Sequence, residues 1–131
     1  MPLIGVVDDD ESMREALESL LKSVGFRVAI FASAKEFLNA TEHEVPDCLI
    51  LDVLMPEMNG LELQKKLIEE NIRIPIVFIS AHGEAGEKEQ VLAAGAIDFL
   101  YKPFSEDSLL RAVGAAINLS DQRKSGGGKL C

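Results

Sequence analysis

Residues 48–60 read CLILDVLMPEMNG, and this stretch decides the fold. Cys48–Leu51 is an unbroken apolar run, too short for a buried helix and preceded by Pro46 and Asp47, so it reads as a strand buried on both faces. Asp52 follows directly, at the strand's carboxyl end. The turn-rich segment Met55–Gly60 then opens a helix that runs to about Glu70. A strand buried on both faces needs helices above and below it, which is the arrangement of a parallel sheet.

The same alternation of short apolar run and helical pattern occurs five times. Leu3–Val7 is the first strand, followed by a helix whose Met13, Leu17, Leu20, Leu21 and Val24 keep the 3.6-residue period, with Ser12 and Glu15 spaced for a capping box. Gly25 stops that helix and Phe26–Ala32 is the second strand; Ser33 and Glu36 offer another capping box before Phe37 and Leu38. Beyond the central stretch, Pro75 precedes a fourth strand, Ile76–Ile79, ending at Ser80. A helix from Glu84 to Ala94 stops at Gly95, and the fifth strand, Ile97–Tyr101, closes at Pro103 after Lys102. Ser105 caps a last helix with Leu109, Leu110, Val113, Ala116 and Ile117 on its buried stripe. No internal repeat is evident. These patterns predict one α/β domain over residues 1–119. From Ser120 the chain is polar and then carries Gly126–Gly128, so 120–131 is expected to be a flexible linker or an expression remnant, with a further domain beyond it in the natural protein.

The 131 residues are 47% hydrophobic, enough for a real core. A formal charge of −9 repels a phosphate backbone, which argues against direct binding to DNA or an anionic membrane and favours cations or basic partners. Cys48 lies in a buried strand and Cys131 is terminal, so no structural disulfide is expected. There is no basic leader before a long apolar segment and no apolar run near ~18 residues, so a soluble cytoplasmic protein is expected.

Open α/β sheets gather their sites beyond the carboxyl ends of the strands. The unusual polar residues of this sequence fall there: Asp8 and Asp9 after strand one, Asp52 after strand three, Ser80 after strand four and Lys102 after strand five. Each has an ordinary reading by itself. The aspartates could be solvated turn or cap residues, Ser80 a cap, and Lys102 a surface lysine. Together, at the right ends of four strands, they form a constellation that chance rarely assembles. Three carboxylates at one edge repel one another unless a cation neutralises them, and Mg²⁺, which takes oxygen ligands together with substrate phosphate, suits that inventory. No Cys/His cluster argues for zinc. A carboxylate beside such a cation can attack phosphorus, with Lys102 as a second positive charge and Ser80 as a donor to a phosphoryl oxygen. Asp10 and Glu11 read as helix-start acids. His82 is a loop histidine whose ordinary reading is a solvated side chain, with phosphate handling as the alternative.

The segments VVDDDESMR (6–14), LILDVLMPEMNG (49–60), VFISAHG (77–83) and DFLYKPF (98–104) resemble, in order and spacing, the motifs of response-regulator receiver domains of two-component signalling. Their wording is closest to FixJ-like transcriptional regulators. The resemblance covers residues 3–119 and implies a flavodoxin-like, CheY-like fold: a doubly wound five-stranded parallel sheet of order 2-1-3-4-5 with five helices. It further implies Asp52 as phosphoacceptor and Asp8 and Asp9 as the acidic pair, with Asp9 the direct metal ligand and the Leu54 backbone carbonyl a further one, for Mg²⁺ or substituting Mn²⁺. Ser80 matches the switch hydroxyl, Lys102 the lysine before proline, and Phe99, by itself a core aromatic, matches the aromatic that moves inward on activation. Leu54 and His82 occupy positions that tune water access to the phosphoryl group in such domains. The implied partners are a sensor histidine kinase, a second copy in a phosphorylation-dependent homodimer formed through the last two helices and the fifth strand, and an output domain, a LuxR-type helix-turn-helix regulating transcription. The implied chemistry is limited to self-phosphorylation and slow autodephosphorylation.

Two rival functions use some of the same features. A phosphohydrolase or phosphotransferase with an aspartate nucleophile would share the carboxylates, Mg²⁺ and lysine, but Asp52 lacks a second acid two residues on, where Leu54 stands. A flavin or nucleotide module would share the topology, but no glycine-rich phosphate loop follows strand one.

Overall fold

The computed structural model describes residues 1–40, 44–81 and 86–129, the stretch 121–129 by backbone alone. The elements are β1 (Leu3–Val7), α1 (Glu11–Ser23), β2 (Arg27–Phe31), α2 (Ala34–Ala40), β3 (Cys48–Asp52), α3 (Gly60–Glu69), β4 (Ile76–Ser80), α4 (Glu87–Ala93), β5 (Asp98–Tyr101) and α5 (Glu106–Lys129). All strand pairs are parallel, in the order β2-β1-β3-β4-β5. This is the flavodoxin-like order the resemblance implies.

The two central strands, β3 and β4, are buried along their whole length, whereas β2 at one edge is mostly exposed or half-buried. Successive side chains point to opposite faces, so one central strand feeds two cores. From β3, Cys48 and Ile50 join Ile4, Val6, Leu17, Leu21, Leu109 and Val113 on the face covered by α1 and α5. Leu49 and Leu51 join Val7, Phe37, Leu63, Leu67 and Phe78 on the other face. Each fully buried Leu or Phe contributes roughly 1.5–3 kcal/mol of transfer free energy. This two-sided burial is the physical content of the apolar run that opened the sequence reading.

Local boundaries differ from expectation in instructive ways. The cap of α1 is Asp10, whose side chain accepts from the Ser12 N–H at 2.9 Å; the expected Ser12–Glu15 box lies inside the helix, because the acidic run supplies an earlier acceptor. Val24, expected on the buried stripe, is the C-cap and is 48% exposed. The best-formed capping box joins Asn59 and Glu62 at α3, with both bonds at 2.9 Å. Gly86, at a φ of 92°, precedes α4, which starts at Glu87; the expected start at Glu84 lies outside the described residues. The expected caps at Ser33 and Ser105 are present: their hydroxyl oxygens accept from the Glu36 and Ser108 N–H groups. The backbone of α5 continues to Lys129, past Ser120, where the linker was expected to begin.

Candidate functional site

Strand register brings the polar residues together. Val7 pairs with Leu51, Asp52 with Ile79 and Ser80 with Tyr101, so Asp8 and Asp52 emerge side by side, with Ser80 and then Lys102 slightly further along their own strands. Asp8 and Ser80 are fully buried and Asp52 is 5% exposed, while Asp9 is exposed. One carboxylate oxygen from each of Asp8, Asp9 and Asp52 lies within 4.8 Å of the others.

Lys102 reaches inward from the end of β5. Its Nζ lies 3.0 Å from Asp8 Oδ2 and 3.6 Å from Asp52 Oδ1, and its side chain is only 16% exposed. Its backbone N–H donates to the Ser80 carbonyl at 2.8 Å, which ties the lysine to the end of β4. The Lys102–Pro103 peptide is cis.

Asp8 anchors the site as much as it contributes charge. Its Oδ1 accepts from the Asp10 N–H at 2.9 Å and its Oδ2 receives Lys102. With both oxygens engaged, Asp9 and Asp52 are the carboxylates more open to a ligand. The charges also act on one another. Asp52 is pushed up to about 7, first by burial and then by the neighbouring Asp8 carboxylate; Lys102 pulls it down, while Asp9 and a side-chain hydrogen bond with Asp8 raise it. A carboxyl titrating near neutrality is the electrostatic mark of a site that wants a cation.

The donor set fits a hard divalent cation. All three side chains offer oxygen, the ligand type that Mg²⁺ takes, and they converge on one point at the sheet edge. Among the remaining expected residues, the Leu54 side chain is 47% exposed beside the site. Phe99 is 2% exposed, stacked on Phe78 at a centroid distance of 6.4 Å and edge-on to Tyr101 at 5.1 Å; the aromatic expected to move inward is inside in this conformation. His82 lies outside the described residues.

Two residues of the site escaped the sequence reading. Gly60 opens α3 directly beneath the end of β3, and a Cβ there would collide with the Asp52 carbonyl oxygen. Its signal was its position at the end of a turn-rich segment, where a glycine has many explanations. Arg14 donates to the Asp8 carbonyl at 2.7 Å, and no pattern distinguishes it from any other helix-surface arginine.

A parallel 2-1-3-4-5 sheet with acids, a hydroxyl and a lysine at its carboxyl edge defines a receiver, and the chain belongs to the response regulator receiver domain family, whose model matches residues 4–114. It is 50% identical over 122 residues to the response regulator protein TmoT of Ectopseudomonas mendocina, covering 93% of this chain and 56% of TmoT. It is 37% identical over 118 residues to the transcriptional regulatory protein FixJ of Bradyrhizobium diazoefficiens, covering 90% and 58%. The solved response regulator StyR superposes with a TM-score of 0.88 at 44% identity, over 98% of this chain and 65% of that one. The chain spans about half the length of the curated relatives it matches. Among the described residues, no helix is long and apolar enough to cross a membrane.

Proposed function

We propose that this chain is a phosphorylation-operated switch that takes one phosphoryl group onto Asp52 from a sensor histidine kinase. The observation that carries the reading is the buried Asp52 carboxyl at the end of β3, 3.6 Å from the Lys102 ammonium and grouped with Asp8 and Asp9. An ionised Asp52 oxygen attacks phosphorus, the bond from phosphorus to the donor imidazole nitrogen breaks, and its electron pair stays on the imidazole. Lys102 is placed to shift from Asp8 towards a phosphoryl oxygen. The Ser80 hydroxyl donates to another, a bond that exists only after transfer, and Phe99 and the α4–β5–α5 surface rearrange with it. The phosphorylated form is then favoured by the bonds that it alone makes.

Asp9 and Asp52 would hold Mg²⁺, or substituting Mn²⁺, together with the Leu54 backbone carbonyl and with Asp8 close by. Bound there, the ion disperses negative charge on the transferring oxygens.

The relatives' names, response regulator and transcriptional regulatory protein, support a full-length protein in which this receiver controls an output domain. We assign that domain as a DNA-binding, LuxR-type helix-turn-helix, with residues 120–131 as the linker, phosphorylation-dependent homodimerisation through α4–β5–α5 and a cytoplasmic location. The test is incubation with a small phosphodonor and Mg²⁺ followed by intact-mass measurement. Wild type should gain the mass of one phosphoryl group and Asp52→Asn none. An unchanged wild-type mass would overturn the reading, and continuous turnover of an added phosphoester would replace it with an enzyme.

A further inference from the structure

The loop between β1 and α1 carries two of the three clustered acids, and it is braced from outside the cluster. The Asp8 N–H donates to the Phe31 carbonyl at 3.2 Å, the Asp10 N–H to Asp8 Oδ1 at 2.9 Å, and the Ser12 N–H to Asp10 Oδ1 at 2.9 Å. A further brace is the Arg14 side chain. From α1 its Nη1 reaches back over the loop to the Asp8 main-chain carbonyl, at 2.7 Å.

This is an unusual use of an arginine. Asp8, Asp9, Asp10, Glu11 and Glu15 all stand nearby in sequence, and a guanidinium ordinarily takes a carboxylate in a charge-assisted bond. Here it takes a neutral carbonyl instead. The contact that Arg14 makes is with the backbone that carries the acids, so it can act on them through the geometry of that backbone.

The geometry points to Arg14 as a positioning residue that fixes the Asp8–Asp9 backbone for divalent-cation binding. The inference rests on the proposed metal-assisted phosphoacceptor reading and adds a residue to it. A loop held in place loses less freedom when it takes a cation, and supports of this kind typically change metal affinity 10–100-fold when removed. A purely electrostatic role has the opposite sign, because removing a positive charge beside a cation site tightens the site.

The experiment compares Arg14→Met, which keeps length but loses the donor, with Arg14→Lys, which keeps a donor. The Mg²⁺ dissociation constant is read by calorimetric titration of the whole chain with Mg²⁺ alone, and the thermal midpoint is measured without metal. Arg14→Met should raise the dissociation constant about tenfold, Arg14→Lys should recover most of that, and the metal-free midpoint should stay with wild type. An unchanged or smaller dissociation constant in Arg14→Met overturns the inference. So does a loss matched by a falling metal-free midpoint and not recovered by Arg14→Lys, and so does a wild type that binds no Mg²⁺. The phosphoacceptor reading fails separately: a wild type that binds Mg²⁺ with this Arg14 dependence yet takes no phosphoryl group sinks that reading and leaves Arg14 standing.

Discussion

Asp52 is held in a contradiction that only a cation or a proton resolves. Its carboxyl is buried and flanked by two other acids, with one lysine shared between it and Asp8. Its folded pKa of about 7 lies above the ordinary 3.8, so the folded chain holds the proton more tightly than the unfolded chain. The resulting stabilisation is complete below about pH 4 and is lost as the pH rises through about 7. Above pH 7 the metal-free domain therefore carries a buried charge, and Asp52→Asn should stabilise it by about 2–4 kcal/mol. The advantage should shrink towards zero near pH 4, and Mg²⁺ should stabilise wild type at pH 8 while leaving the variant nearly unchanged. Urea denaturation of both proteins across this range checks it; a gap that does not change with pH would contradict the assigned environment of Asp52.

At the scale of elements, the junction of β3 with α3 sets where the phosphoacceptor sits. The Gly60 N–H donates to the Val53 carbonyl at 2.9 Å, and the Asn59–Glu62 box fixes the start of the helix just behind it. Gly60 has no left-handed backbone to explain it; the constraint is the Asp52 carbonyl packed where a Cβ would go. Gly60→Ala should destabilise the domain by about 1–3 kcal/mol through overpacking. Because the displaced atom belongs to Asp52, phosphorylation by a small donor should also slow relative to Asn59→Ala, which loses a cap worth about 1 kcal/mol without touching Asp52. Equal rates in two variants of matched stability would show that the close approach has no bearing on the site.

For the whole molecule, two cores share one sheet, and the site lies at the edge where both end. Within the described residues the packing of α5 closes at Ala116, Ile117 and Ser120, whose hydroxyl donates to Asp47 Oδ1 at 3.4 Å. With residues 120–131 assigned as linker, a chain ending at residue 120 is expected to unfold at the same midpoint as the full chain, within about 2 °C, by thermal melting. A clear loss would move the domain boundary into the segment assigned as linker.

Much of this was legible beforehand, because the physics involved is local. Four apolar residues before Asp52 specify a strand buried on both faces, the period of Leu17 and Leu21 specifies a helix, and glycine stops specify their ends. The strand-end positions of Asp8, Asp52, Ser80 and Lys102 follow from those elements without any contact being known. Strand order came from resemblance and not from periodicity, since a buried run pairs equally well with any neighbour. What the tertiary structure alone decided is how the charges are shared: that both Asp8 oxygens are already engaged, that Lys102 lies 3.0 Å from Asp8 and 3.6 Å from Asp52, and that Arg14 and Gly60 hold the backbone of the acids. The sharing of Lys102 depends on distances across strands far apart in the chain, and the Arg14 and Gly60 contacts on how a helix turns back over the strand before it; burial and through-space charge act on distance in space, which the order of residues does not contain.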